Sequence, residues 1–150
     1  MNFASLFMSF EGRISRKPFW LGLLSLLILG LIILLGSLYV AGERDYPVIR
    51  FNILVIEVAL LYPLLAVGVK RLHDRNRPGY TALVFVLPWL LHQVTNLVGI
   101  TGDPTAINAI DIAFILINLV LFVWFVVDLG VLRGTRGPNA YGPDPLETKS

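Results

Sequence analysis

From Phe19 to Ala41 the chain runs 23 residues without one charged side chain. Backbone amides and carbonyls find no water inside a bilayer, so a stretch of that length is read as a helix that satisfies its own hydrogen bonds as it crosses. Three more blocks follow the same logic. Asn52 to Val69 is apolar apart from Glu57 and ends at Lys70. Tyr80 to Ile100 is apolar, with a wet second half of His92, Gln93, Thr95 and Asn96. Ile107 to Leu129 holds Asp111 and Asp128 near its two ends. Turn-forming residues separate the blocks: Gly42 to Arg50 with Pro47, Lys70 to Gly79 with Pro78, and Thr101 to Ala106 with Gly102 and Pro104.

The sequence therefore predicts an all-α integral membrane four-helix bundle. One membrane domain covers residues 1–150, with spans over about 19–41, 52–69, 80–100 and 107–129 and a tail over 130–150. Apolar residues make up 56% of the chain and charged residues 15%, against roughly 45–50% and 25% in ordinary globular domains. Little is left over for a soluble domain. The absence of cysteine excludes a disulfide scaffold, a thiolate metal site, an iron–sulfur cluster and a cysteine nucleophile. The first block is far longer than the roughly 7–15 residues of a signal-peptide core, so it is expected to stay as a helix. Gly22, Ser25 and Gly36 fall within about 60° of one another around it, a stripe that lets another helix approach closely.

Orientation follows from the short polar segments. Arg13, Arg16 and Lys17 precede the first span, Lys70, Arg71, Arg75 and Arg77 lie between the second and third, and Arg133, Arg136 and Lys149 follow the fourth. Only Arg44 and Arg50 fall on the other side. Both termini and the middle loop are expected in the cytoplasm.

Three polar segments share that face: Gly12-Arg13-Ile14-Ser15-Arg16 with Phe19-Trp20, Arg71-Leu72-His73-Asp74, and Gly137-Pro138-Asn139-Ala140-Tyr141-Gly142-Pro143-Asp144-Pro145. Pro18 suits a first helical turn, Asn76 the left-handed residue that ends a helix, and Pro78 the opening of the next. The last segment is too rich in glycine and proline for a helix and is expected to fold as an ordered loop against the other two. In this order the three motifs resemble the DUF805 family of small bacterial inner-membrane proteins, over nearly the whole chain. Where that family often carries glycine, serine and tryptophan, this chain has Asn76, Pro78 and Tyr80. The resemblance implies fold, membrane and topology, and no reaction.

Arginine outnumbers lysine nine to three, and its planar fork suits bidentate binding of phosphate or carboxylate. Arg13, Arg16, Arg71, His73, Asp74, Arg75, Arg136, Asn139 and Tyr141 are thus candidates for holding an anionic lipid headgroup, a small anion or a partner protein. A plainer expectation stands beside it, in which Asp74 pairs with Arg71 or Arg13 and His73 caps a carbonyl. Asp128 is expected to pair with Arg133 or Arg136. Near the opposite face, Glu57, His92, Asn96 and Asp111 reach similar depth from three helices. They are candidates for a polar vestibule that binds a cation or passes a proton, or for a structural network. Pro63 and Pro88 lie inside spans and would supply kinks for such a transporter.

The leading expectation is a binding or assembly component of the inner membrane whose basic face meets an anionic phospholipid or a membrane protein partner. The alternative is a small oligomeric transporter or channel. No metal site, cofactor or catalytic constellation is recognisable, so an enzyme ranks third. Nucleic acid is not expected as a partner, because the polar segments are short and lie close to the membrane.

Overall fold

The computed structural model describes residues 3–41, 46–102 and 106–147, with the side chains of 40, 41 and 46–50 excepted. Arg44, Pro104 and Lys149, together with the Arg50 side chain, lie outside the described residues. The fold is all-α: α1 (Phe3–Met8), α2 (Arg16–Ala41), α3 (Tyr46–Asp74), a 3-10 turn (Gly79–Ala82) leading into α4 (Leu83–Leu97), and α5 (Ala109–Phe125) running into a π-helical turn (Val126–Val131). Among the described residues, three helical stretches are long and apolar enough to cross a membrane, namely Arg16–Tyr39, Phe51–Asp74 and Ala109–Val131. The expected third span is the shorter α4 together with its 3-10 turn, from Gly79 to Leu97. The expected loop from Gly42 to Arg50 is shorter than the sequence suggested, since α3 already begins at Tyr46.

The helix ends follow local chemistry. Pro18 sits in the first turn of α2, as expected. At the end of α3, Asn76 takes φ 56°. The Asn76 and Arg77 amides then reach back to the His73 and Leu72 carbonyls, both at 2.9 Å, which is a Schellman closure. At the start of α5, Asn108 Oδ1 accepts from the Ile110 and Asp111 amides, and Asp111 Oδ2 accepts from the Asn108 amide at 3.0 Å. This capping box gives Asp111 a structural task the sequence reading did not assign it. Pro63 and Pro88 lie inside α3 and α4 as expected.

α2 packs along α3, and α4 packs on α5. The two hairpins join at the end that carries the motifs, where the 3-10 and π turns meet α3. The core gathers there as well: Phe7, Ile14, Phe19, Val67, Leu72 and Leu129 are all buried. Towards the other end, no described side chain of α2 beyond Leu26, of α3 before Ala66, or of α4 is buried.

The N-terminal helix α1 was not foreseen. It lies against α3 with Phe7 buried. Its last carbonyls are taken up by side chains of α3: Lys70 Nζ donates to the Ser5 and Leu6 oxygens, the latter at 2.5 Å, and Tyr62 Oη to Met8 O at 3.1 Å. Irregular backbone beside a membrane helix is tolerable only when protein groups satisfy it in this way. The apolar spacing of Phe3, Leu6, Phe7 and Phe10 was the available signal.

Of the small-residue stripe, Gly22 does the expected work: a Cβ there would lie 3.2 Å from Val67 Cγ2. Gly36 faces open space, and Gly30, which the stripe left out, abuts Leu60 at 3.0 Å. Gly22→Leu should therefore wedge α2 from α3 and cost roughly 1–3 kcal/mol, whereas Gly36→Ala should leave stability unchanged. Thermal unfolding of the two variants in detergent checks the contrast.

Candidate functional site

The π turn leaves the last carbonyls of α5 without helical partners. Side chains from two other segments accept the task. Arg71 Nε donates to Leu129 O at 2.6 Å and its Nη2 to Leu132 O at 2.5 Å. Trp20 Nε1 donates to Gly130 O and Arg16 Nη1 to Val131 O, each at 3.1 Å. Four consecutive carbonyls are thus held by α2 and α3.

Asp74 stands at the centre of this arrangement. One carboxylate oxygen takes Nε and Nη2 of Arg13 at 3.2 and 3.1 Å, and the other takes Nη1 of Arg71. The remaining Arg13 donors reach Gly137 O (2.8 Å), Gly142 O (3.0 Å) and Thr135 O (2.7 Å). The Asp74 carbonyl accepts the Thr135 amide at 2.8 Å. Exposure of Asp74, Arg71 and Arg13 is 3%, 0% and 9%. A buried carboxylate and two guanidiniums thus tie together the segment before α2, the end of α3 and the tail. Asp74 pairs with both expected arginines, and the tail is the ordered, non-helical loop the sequence suggested.

Around the knot, Asn139 Nδ2 donates to His73 O and Thr135 Oγ1, both at 2.9 Å, and the Tyr141 ring stacks on His73 with centroids 3.9 Å apart. His73 Nδ1 lies 3.2 Å from Gly12 O, the carbonyl contact expected of it. Asp144 accepts the Leu146 and Gly137 amides, and those backbone donors, the Leu146 one first, hold its carboxyl below the ordinary aspartate range. That anchorage is complete above the ordinary aspartate value and is lost as pH falls through the lowered one.

One expectation needs correcting. Asp128 pairs with Arg75 Nη2 at 3.1 Å and Arg77 Nη1 at 2.9 Å, rather than with Arg133 or Arg136. The π turn directs Asp128 towards the loop after α3, while Arg133 and Arg136 point outward. Arg75 also donates to Arg133 O at 2.7 Å.

At the opposite end each candidate residue has a neighbour of its own, and His92 also lies within electrostatic reach of Glu57. Glu57 accepts a hydrogen bond from Gln93 Nε2, so α3 meets α4 there. His92 stacks on Phe114 of α5, with centroids 4.8 Å apart. Asn96 accepts from Thr101 Oγ1 at 3.0 Å, and Asp111 Oδ1 from the Gly102 amide at 2.9 Å, at the helix ends. Among the described residues, no group of three or more His, Asp or Glu side chains is placed to hold a metal ion.

Comparison with known proteins concerns the chain as a whole. The family model "Protein of unknown function (DUF805)" covers residues 7–143, from α1 through the tail loop. The chain belongs to the DUF805 family. It is 34% identical to the uncharacterized protein YiiR of Escherichia coli (strain K12) over 143 residues, 94% of this chain and 88% of that one. It is 33% identical to the inner membrane protein YhaH (93% and 88% covered) and 30% identical to the inner membrane protein YhaI (93% and 87%), both of the same strain. No solved structure matches. This DUF805 chain is a multi-pass protein of the bacterial inner membrane.

Removing one partner of a buried ion pair strands the other charge, at a cost of about 3–5 kcal/mol. Asp74→Ala and Arg71→Ala should each lower the thermal unfolding transition by that order, and Arg71→Lys should recover little because a lysine lacks the fork. Gly134→Ala should also fail to fold normally, since its Cβ would sit 1.9 Å from Asp74 Oδ2. Detergent-solubilised protein followed by circular dichroism gives the answer.

Proposed function

We propose that this DUF805 protein is a binding and assembly component of the inner membrane, whose cytoplasmic face holds anionic phospholipid headgroups on a rigid frame of buried ion pairs. The observation that carries the reading is the division of the basic residues into two sets. Arg13, Lys70 and Arg71 are buried and bound to backbone carbonyls, and Arg75 and Arg77 serve Asp128. Arg16, Lys17, Arg133 and Arg136 are exposed. They flank the start of α2 and the end of the π turn, beside the half-exposed Trp20. Basic residues just outside a span attract anionic headgroups by about 1 kcal/mol each. His73 and Asp74, the residues acid–base chemistry would draw on, are engaged by the Gly12 carbonyl and by two guanidiniums respectively, which favours binding over catalysis.

The topology in this reading is four crossings with both termini in the cytoplasm. Its support is the meeting of three segments, 9–15, 70–77 and 129–144, at one end of the bundle. α2 leaves that end, while α3 and α5 both arrive at it. The chain must therefore travel to the far end between them, and α4 with its 3-10 turn, 19 residues from Gly79 to Leu97, is about 30 Å long, enough for the hydrocarbon core. The basic residues at the shared end support a cytoplasmic location for it.

Native mass spectrometry of gently extracted protein tests the function. Wild type should retain an anionic phospholipid. Changing Lys17, Arg133 and Arg136 together to alanine should reduce the retained fraction several-fold without altering the unfolding transition. Equal retention by the two proteins would defeat the reading. The chain has no cysteine, so single cysteines report topology cleanly: Glu11→Cys and Glu147→Cys should react with an impermeant maleimide only after cell lysis, and Ile100→Cys in intact spheroplasts.

A further inference from the structure

Acidic residues of the spans have contrasting fates. Asp74 and Asp128 each receive two guanidiniums, and Asp111 caps α5. Glu57 takes the neutral amide of Gln93 instead. Among the described residues, none forms an ion pair with it. A carboxylate within a membrane span is costly and marks a functional position by default. The neighbouring turns of α3 and α4 carry aliphatic side chains about half exposed, Val55, Val58, Leu90 and Val94 at 50%, 56%, 48% and 48%. Trp89, His92 and Gln93 form one face of α4 by their three- and four-residue spacing, with Trp89 beside the carboxylate and His92 stacked on Phe114.

We propose that Glu57, Gln93 and Trp89 form a binding site for a hydrophobic organic cation, an ammonium or phosphonium with an apolar body, entering from the lipid between the α2–α3 and α4–α5 hairpins. The carboxylate supplies the counter-charge and the indole a π face for the cation. The exposed aliphatic side chains receive the apolar body. A small hydrated metal ion fits poorly, because it needs several oxygen ligands and no group of metal-binding side chains gathers here among the described residues. The site lies at the end of the bundle remote from the basic face, so its test stands or falls separately from the lipid-binding reading.

The experiment is equilibrium binding of tetraphenylphosphonium to the full chain in nanodiscs. Wild type should bind saturably. Glu57→Gln, isosteric and uncharged, should weaken binding by about tenfold or more, Trp89→Leu should weaken it less, and Glu57→Asp should retain part of it. An unchanged unfolding transition certifies each variant. Absence of saturable binding by wild type, equal affinity in Glu57→Gln, or displacement by sodium at equal concentration would overturn the proposal.

Discussion

The carboxylate of Asp74 sits between two guanidiniums, and almost every irregular part of this protein is organised by that contact. Membrane helices satisfy their own backbone, but the segments that enter and leave them do not. Here the unsatisfied carbonyls belong to residues 129–132, 135, 137 and 142, and Arg13, Arg16, Trp20 and Arg71 are their donors. Arg13 and Arg71 can be buried because Asp74 offsets their charge. Without it, two cations would lie among apolar side chains with only carbonyl dipoles for compensation. Without the arginines, a buried carboxylate would push the tail away. The pair and its backbone partners therefore stand together.

This arrangement explains the preference for arginine in the knot. Arg13 directs its donors to the carboxylate and three separate carbonyls, which a lysine ammonium cannot span. Lys70 occupies the one place where a point charge suffices, collecting two adjacent carbonyls at the end of α1. Charge that topology rules count as cytoplasmic decoration is therefore partly internal framework. What remains on the surface is a smaller set around Trp20 and the π turn, and any headgroup binding depends on that set. At the opposite end, by contrast, few described side chains are buried and Glu57 takes the amide of Gln93, with no guanidinium paired to it among the described residues.

The apolar blocks made three long spans legible, because hydrophobic length determines them, while the block over 80–100 forms the shorter α4; Asn76, Pro18 and Pro78 were legible as punctuation. The pairing of Asp74 with Arg13 and Arg71 was also within reach, since a buried acid beside so many arginines has few other fates. The partners of Asp128 were not, because they depend on a π turn that rotates its carboxylate away from the arginines nearest in sequence. Nor was the use of the arginines on backbone carbonyls, since sequence patterns report side chains and the acceptors here are main-chain atoms. Equal depth brought Glu57, His92 and Asp111 together on paper, but the rotation of each helix directs Glu57 to Gln93, His92 to Phe114 and Asp111 to its own helix cap.

The central claim is that the Arg13–Asp74–Arg71 knot holds the C-terminal tail to the bundle. Hydrogen exchange of the tail amides in wild type and in Asp74→Asn tests it most directly. The account predicts that the Thr135, Gly137 and Gly142 amides, bonded to Asp74 O, Asp144 Oδ2 and Asn139 O, exchange slowly in wild type and rapidly in the variant, while the centre of α2 is unaffected. Tail amides exchanging at coil rates in wild type, or keeping their protection in the variant, would contradict it.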